Sequence, residues 1–180
     1  MACSLFGDGA AAAVVGAAGP RDEVIFALGP AATCVEPVTG PMMGWAVGDD
    51  GFEMTLAAEI PSTIGAAIAG FVDRLAPRDE VGAWCVHPGG PATLATAERA
   101  LGLGPNALDV SRAVLRDIGN VSSATIPFVL ERAAAGIAEG VRGVAVGFGP
   151  GLTLEGFAFQ RGAVACRRIE TAPDAVGAAV

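Results

Sequence analysis

The stretch Trp84–Pro91, WCVHPGGP, holds the only histidine in a chain of 180 residues. It ends a short continuous apolar run, Val81–Val86, whose length and composition predict a strand buried on both faces. Pro88, Gly89 and Gly90 then turn the chain. Residues 91–102 (PATLATAERALG) predict a helix, with Pro91 near its first turn and Gly102 just past its end. His87 therefore stands where a strand hands over to a helix, the place where α/β folds set ligands and reactive groups. The two glycines beside it leave room for a substrate or another backbone to come close. A buried structural histidine bonded to a backbone carbonyl is the competing reading.

Outward from this junction, strands and helices alternate. On the N-terminal side, the small and β-branched residues 10–16 predict a buried strand after the tight turn Phe6–Gly9. No strand stands in front of that turn, so the chain reads as starting mid-fold. Glu23–Leu28 and Ala32–Pro37 predict two strands separated by a turn at Gly29-Pro30. Trp45–Val47 and Phe52–Leu56 flank GDDG as a hairpin. From Pro61, apolar residues at 64, 68, 71, 72 and 75 recur at helical spacing until Pro77 closes the run. On the C-terminal side, Ser111–Ile118 predicts a short helix, and GNVSSATIPFVLERAAAG a capped helix kinked at Pro127. Gly143–Phe148 and Leu152–Gln160 predict two strands joined by GPG, and residues 172–180 a loose tail. The class is α/β or α+β, with helices packed on a sheet.

Composition narrows the function classes. Hydrophobic residues make up 52% and charged residues 17%, a core-rich balance. The net charge is −8 and all 11 cations are arginine, which argues against nucleic acid as a partner and excludes lysine chemistry within the chain. No apolar run approaches the roughly 20 residues of a membrane span, and the N-terminus lacks the basic residues of a secretory leader. Cys3, Cys34, Cys85 and Cys166 form no CxxC pair, so free thiols in a reducing cytoplasm are expected rather than a zinc site.

Three further stretches invite a functional reading. Asn120, in GNVSSA, precedes an apolar helical run. Its spacing favours an N-cap, a job Ser122 or Ser123 could share, over catalysis. Gly147–Gly151 (GFGPG) reads either as a plain turn or as a wall where a ligand lies against backbone. FGDGA at 6–10 offers the same choice.

Taken in order, LFGDGAAA, WCVHPGGPA, GNVSSA and GFGPGLTLE resemble the C-terminal half of the type III polyketide synthases, the chalcone and stilbene synthase family. The resemblance spans nearly the whole chain. It implies half of a thiolase-like α/β fold, a mixed sheet with helices packed on it, working on acyl-coenzyme A and malonyl-coenzyme A with no further cofactor or metal. It implies catalytic roles for His87 and Asn120 within a Cys-His-Asn set. Imidazolium beside a thiol favours thiolate, and donors from His and Asn can steady the enolate left when a malonyl thioester loses carbon dioxide. Phe6 matches a gatekeeper aromatic. Met54 falls where plant enzymes carry a second gatekeeper phenylalanine, so a plant product is not implied. Ser122 and Pro150 match cavity-lining positions, and Gly147, Phe148 and Gly149 become cavity wall.

The family's nucleophilic cysteine lies upstream of FGDG, with most of the residues that grip coenzyme A and much of the dimer contact. Cys85, two residues before His87, shares its strand face at a Cβ separation of roughly 6–7 Å. A small buried thiol is its ordinary reading. The chain is thus expected to be inactive alone in chain extension and to work as a homodimer or with a separate N-terminal half. The alternatives are a non-catalytic module that binds acyl thioesters, and a ketoacyl synthase relative fed by a carrier protein.

Overall fold

The computed structural model describes residues 5–19, 23–49 and 51–162. Cys3, Cys166 and the tail expected at 172–180 lie outside them. A four-stranded mixed sheet organises the chain: β1 (Phe26–Val35), β4 (Ala83–Val86), β5 (Arg142–Gly149) and β6 (Thr153–Arg161), in the order β1-β6-β5-β4. The β4–β5 pair is parallel and the other two pairs antiparallel. A separate hairpin consists of β2 (Met43–Gly48) and β3 (Gly51–Leu56). Helices α1 (Ile60–Val72), α2 (Pro91–Leu101), α3 (Asp109–Asp117) and α4 (Thr125–Gly136) complete the fold.

The β4–β5 part of the sheet is covered on both sides, which explains the unbroken apolar run of β4. Val86, Val144 and Val146 face α1 and α2, where Ile64, Ile68, Phe71 and Leu94 meet them. Cys85 and Ala145 face the opposite way, onto Val114 of α3 and Val129 and Ala133 of α4. Alternate residues of one strand thus enter different cores, and no position can be polar. α2 starts at Pro91 and stops at Gly102, whose φ of 67° suits a residue without Cβ, and the Gly102 and Leu103 N–H groups close on the last carbonyls.

Four expectations require correction. Residues 10–16 form no strand and are exposed, with Val14 and Val15 uncovered among the described residues. Apolar composition gave them strand character, but a strand needs a partner, and none of the described residues supplies one. The two strands expected around Gly29-Pro30 are a single strand, β1, whose pairing with β6 shifts register between Leu28 and Ala31. β1 lies at the sheet edge, where a proline without N–H is accommodated by a bulge. Pro127 does not kink α4. It sits in the first turn, where its missing N–H has no helical acceptor to lose. Asn120 is not the N-cap of α4, which begins five residues later after a 3-10 turn at Ser122–Ala124.

Candidate active site

His87 directly follows β4, and its backbone N–H continues the ladder by donating to Val146 O at 2.8 Å. The carbonyl just before it, Val86 O, accepts the buried Ser111 hydroxyl at 2.7 Å, so α3 pins the strand end from which the histidine projects. The residue is 8% exposed, and its ring meets Phe148 edge to face, centroids 6.4 Å apart. Its nitrogens hydrogen-bond to no protein group among the described residues, so the structural reading through a backbone carbonyl does not hold. Burial pushes the imidazole down from 6.5 to about 4. It is neutral at pH 7 and offers one N–H and one lone pair. An imidazolium here needs an anion brought against it.

Asn120 is clamped at its backbone by the N-terminal segment: its N–H donates to Leu5 O at 2.7 Å, and its carbonyl accepts Gly7 N–H at 3.0 Å. Phe6 and Asn120 form the bridge between them. The glycine at 7 is obligatory, because a Cβ there would come 2.5 Å from Ile118 O. The Asn120 side chain is buried and its Oδ1 accepts Ser122 N–H at 2.9 Å. A backbone N–H can only donate, so Oδ1 must face it and the Nδ2 donors point elsewhere. They meet no protein acceptor among the described residues. No buried side-chain nitrogen or oxygen lacks a partner there. The uncommitted donors of His87 and Asn120 therefore open onto accessible space.

The segment Leu5–Gly7 touches both sides of this arrangement. It carries the clamp on Asn120, and Leu5 Cδ1 lies 3.8 Å from where a Gly90 Cβ would stand, in the turn after His87. From Phe6 the site runs into the hairpin: Phe6 meets Trp45 at 6.4 Å and Trp45 meets Phe52 at 6.2 Å, both edge to face. Met54 is the register partner of Trp45 and shares its face. Trp45 was not singled out from the sequence. The alternation of the hairpin puts it opposite Met54, but nothing local announces its contact with Phe6.

Other expected positions fall differently. Gly147, Phe148 and Gly149 belong to β5 itself, so the expected GFGPG turn shortens to the residues after Gly149, and only Phe148 is in ring contact with His87. Pro150 opens that turn, its carbonyl accepting the Thr153 hydroxyl at 2.6 Å. The Ser122 residue is exposed, and it is its backbone N–H that reaches the site. Cys85 is fully buried and its thiol is raised to about 12 by desolvation, so it carries no thiolate at neutral pH. Apart from the site, a groove of about 440 Å³ between α2 and α3 is lined by Pro91, Leu94, Ala95, Arg112, Leu115 and Arg116. Its Arg112 is held by Glu98 through two 2.6 Å bonds, which keep that carboxyl below its ordinary range.

Residues 27–162 match the description of chalcone and stilbene synthases, C-terminal domain. The chain belongs to the chalcone and stilbene synthase family. Among relatives, Type III polyketide synthase 10 of Oryza sativa subsp. japonica is 38% identical over 173 residues, 85% of this chain and 43% of that protein. The 1,3,6,8-tetrahydroxynaphthalene synthase of Streptomyces peucetius subsp. caesius is 37% identical over 165 residues, 86% of this chain and 44% of that protein. The chain spans less than half the length of these relatives. Among solved structures, the C-terminal type III polyketide synthase domain of Steely1 from Dictyostelium superposes with TM-score 0.72 at 26% identity, covering 79% of this chain and 43% of that one. PKS-I from the brown alga Ectocarpus siliculosus gives 0.67 at 32% identity, covering 76% and 39%. The mixed sheet with packed helices is thus the family's thiolase-like α/β fold in its C-terminal part. Among the described residues no helix is long and apolar enough to cross a membrane.

Proposed function

We propose that residues 1–180 act as the C-terminal half of a type III polyketide synthase, a cytoplasmic acyltransferase that condenses malonyl units from malonyl-coenzyme A onto an acyl-coenzyme A starter. The supporting observation is the pair of uncommitted donors: the imidazole of His87 and the Nδ2 group of Asn120 are both buried, open to accessible space and bracketed by the Leu5–Gly7 segment. Two neutral donors suit an oxyanion better than a neutral carbonyl, so they favour the enolate formed when the malonyl thioester loses carbon dioxide. Phe6, Phe148 and Met54 supply apolar wall around the growing chain. Gly147, Gly149 and Pro150 supply backbone close to it, and Ser122 orients the amide. Neither described thiol matches the nucleophile: Cys85 is inert, and Cys34 lies in β1 at the sheet edge, where the family has no signature. In this reading the acyl-carrying cysteine is supplied by an N-terminal half, which also brings the coenzyme A grip and dimer contacts.

The test is reconstitution. The chain, mixed with a separately expressed N-terminal half of a type III synthase, releases carbon dioxide from malonyl-coenzyme A. Asn120→Ala or His87→Ala in the same mixture lowers the rate by about 10²-fold or more, as expected for loss of one oxyanion donor. A folded mixture without decarboxylation, or one indifferent to both substitutions, overturns the proposal.

A further inference from the structure

Beside the Asn120 amide lies a hydroxyl that no sequence motif announced. Thr125, fully buried at the start of α4, uses its Oγ1 three ways. It accepts Val121 N–H at 3.0 Å, donates to Ser122 O at 2.8 Å, and lies 3.4 Å from Asn120 Oδ1. A hydroxyl has one proton. The shorter contact assigns it to Ser122 O, and the Asn120 contact is a weaker alternative in which Oδ1 is still the acceptor. With the proton on Ser122 O, Thr125 ties the Asn120–Val121 peptide, through its N–H, to the Ser122–Ser123 peptide, through its carbonyl, across Ser122. That residue holds a left-handed φ of 58°, an uncommon state for a side chain with Cβ that persists only where its surroundings fix it. The Ser122 N–H belongs to the Val121–Ser122 peptide between the two that Thr125 holds, and Val121, at φ −101° and ψ 33°, turns it onto Asn120 Oδ1.

Resting on the reading of Asn120 above, we propose that Thr125 is a positioning residue: its hydroxyl holds the Val121–Ser122 turn, whose N–H takes up Oδ1 and leaves Nδ2 for the ligand oxyanion. Thr125 touches no reacting atom. Valine at 125 keeps the shape and removes the hydroxyl, stranding Val121 N–H and freeing the turn. Serine keeps the hydroxyl.

Two readouts are needed. In the chain alone, the Nδ2 proton pair of Asn120, assigned by its disappearance in Asn120→Asp, shifts in Thr125→Val but not in Thr125→Ser. The Ser122 amide exchanges on the order of tenfold faster in Thr125→Val, because the local opening is easier. In the reconstituted mixture, Thr125→Val lowers kcat for decarboxylation by about 10- to 100-fold with KM little changed, and Thr125→Ser stays within about threefold of wild type. Unchanged Asn120 and Ser122 signals in Thr125→Val overturn the positioning role. If that variant does not fold, the unaltered chain decides: a Ser122 amide exchanging as fast as exposed Ser123 overturns the role, and a protected one supports it. Activity indifferent to Asn120→Ala, with the spectral shifts present, overturns the catalytic reading while the hydroxyl's hold on the amide stands.

Discussion

The β4–β5 pair and the β2–β3 hairpin both carry large apolar side chains and meet opposite fates. In the sheet, Val146 is 0% exposed, with a helix pair over each face. In the hairpin, Met43, Trp45 and Val47 oppose Leu56, Met54 and Phe52 on one face, and the other face carries only glycine, alanine, threonine and glutamate. That is as clean a period-two pattern as a half-buried strand pair can show, yet Trp45 is 54% and Val47 83% exposed. Pattern tells which face seeks cover. It does not tell whether the covering element lies within the described residues. The β4–β5 pair is self-sufficient, and the hairpin faces outward from Phe6 onward.

The largest effect that would break this contrast is expected at the helix-covered sheet. Ile68→Ala, at a fully buried α1 position packed on the sheet, should cost about 2–5 kcal/mol of unfolding free energy in urea titration. A cost under about 0.5 kcal/mol, the range of exposed sites, would show that the core is no better packed than the hairpin. His87 gives the next largest effect. The unfolded imidazole takes its proton near 6.5 and the folded one near 4. Between those values the unfolded state binds more protons, so stability is present above the window and falls as pH falls through it, by about 3 kcal/mol in all. His87→Gln should remove that slope, so the difference between the two proteins' urea midpoints should vary from pH 7 to pH 4. A constant difference means the ring is not buried as described. The smallest effect sharpens the other side. Phe52→Ser in the chain alone should change stability by no more than about 0.5 kcal/mol. A loss several times larger would mean that the hairpin face is already covered.

How much of this was legible follows the same division. The Val81–Val86 run, the Pro91 and Gly102 boundaries and the hairpin alternation are local signals, and each produced its element. β1 was split in two because Gly29-Pro30 is a turn signal unless the strand is an edge, and edge status is fixed only by pairing with β6. Residues 10–16 carry strand composition without a described partner. At the site, His87 and Asn120 were visible through the motifs around them. The local N-cap logic for Asn120 failed because its neighbour Ser122 adopts a left-handed turn that no serine advertises. Thr125 and Trp45 stayed invisible for complementary reasons. The hydroxyl of Thr125 works through its own turn, and any threonine before a helix looks alike. Trp45 works through Phe6, far away in the chain.

The pairing of β1 with β6 also bears on how the molecule comes into being. Phe26 sits opposite Arg161, and Val35 opposite Thr153. On the ribosome, β1 must therefore wait, its hydrogen-bonding edge bare, until β6 has emerged. Contacts this distant in sequence are slow to form, so nascent chains remain open to capture by chaperones, or by one another, in the interval between the two strands.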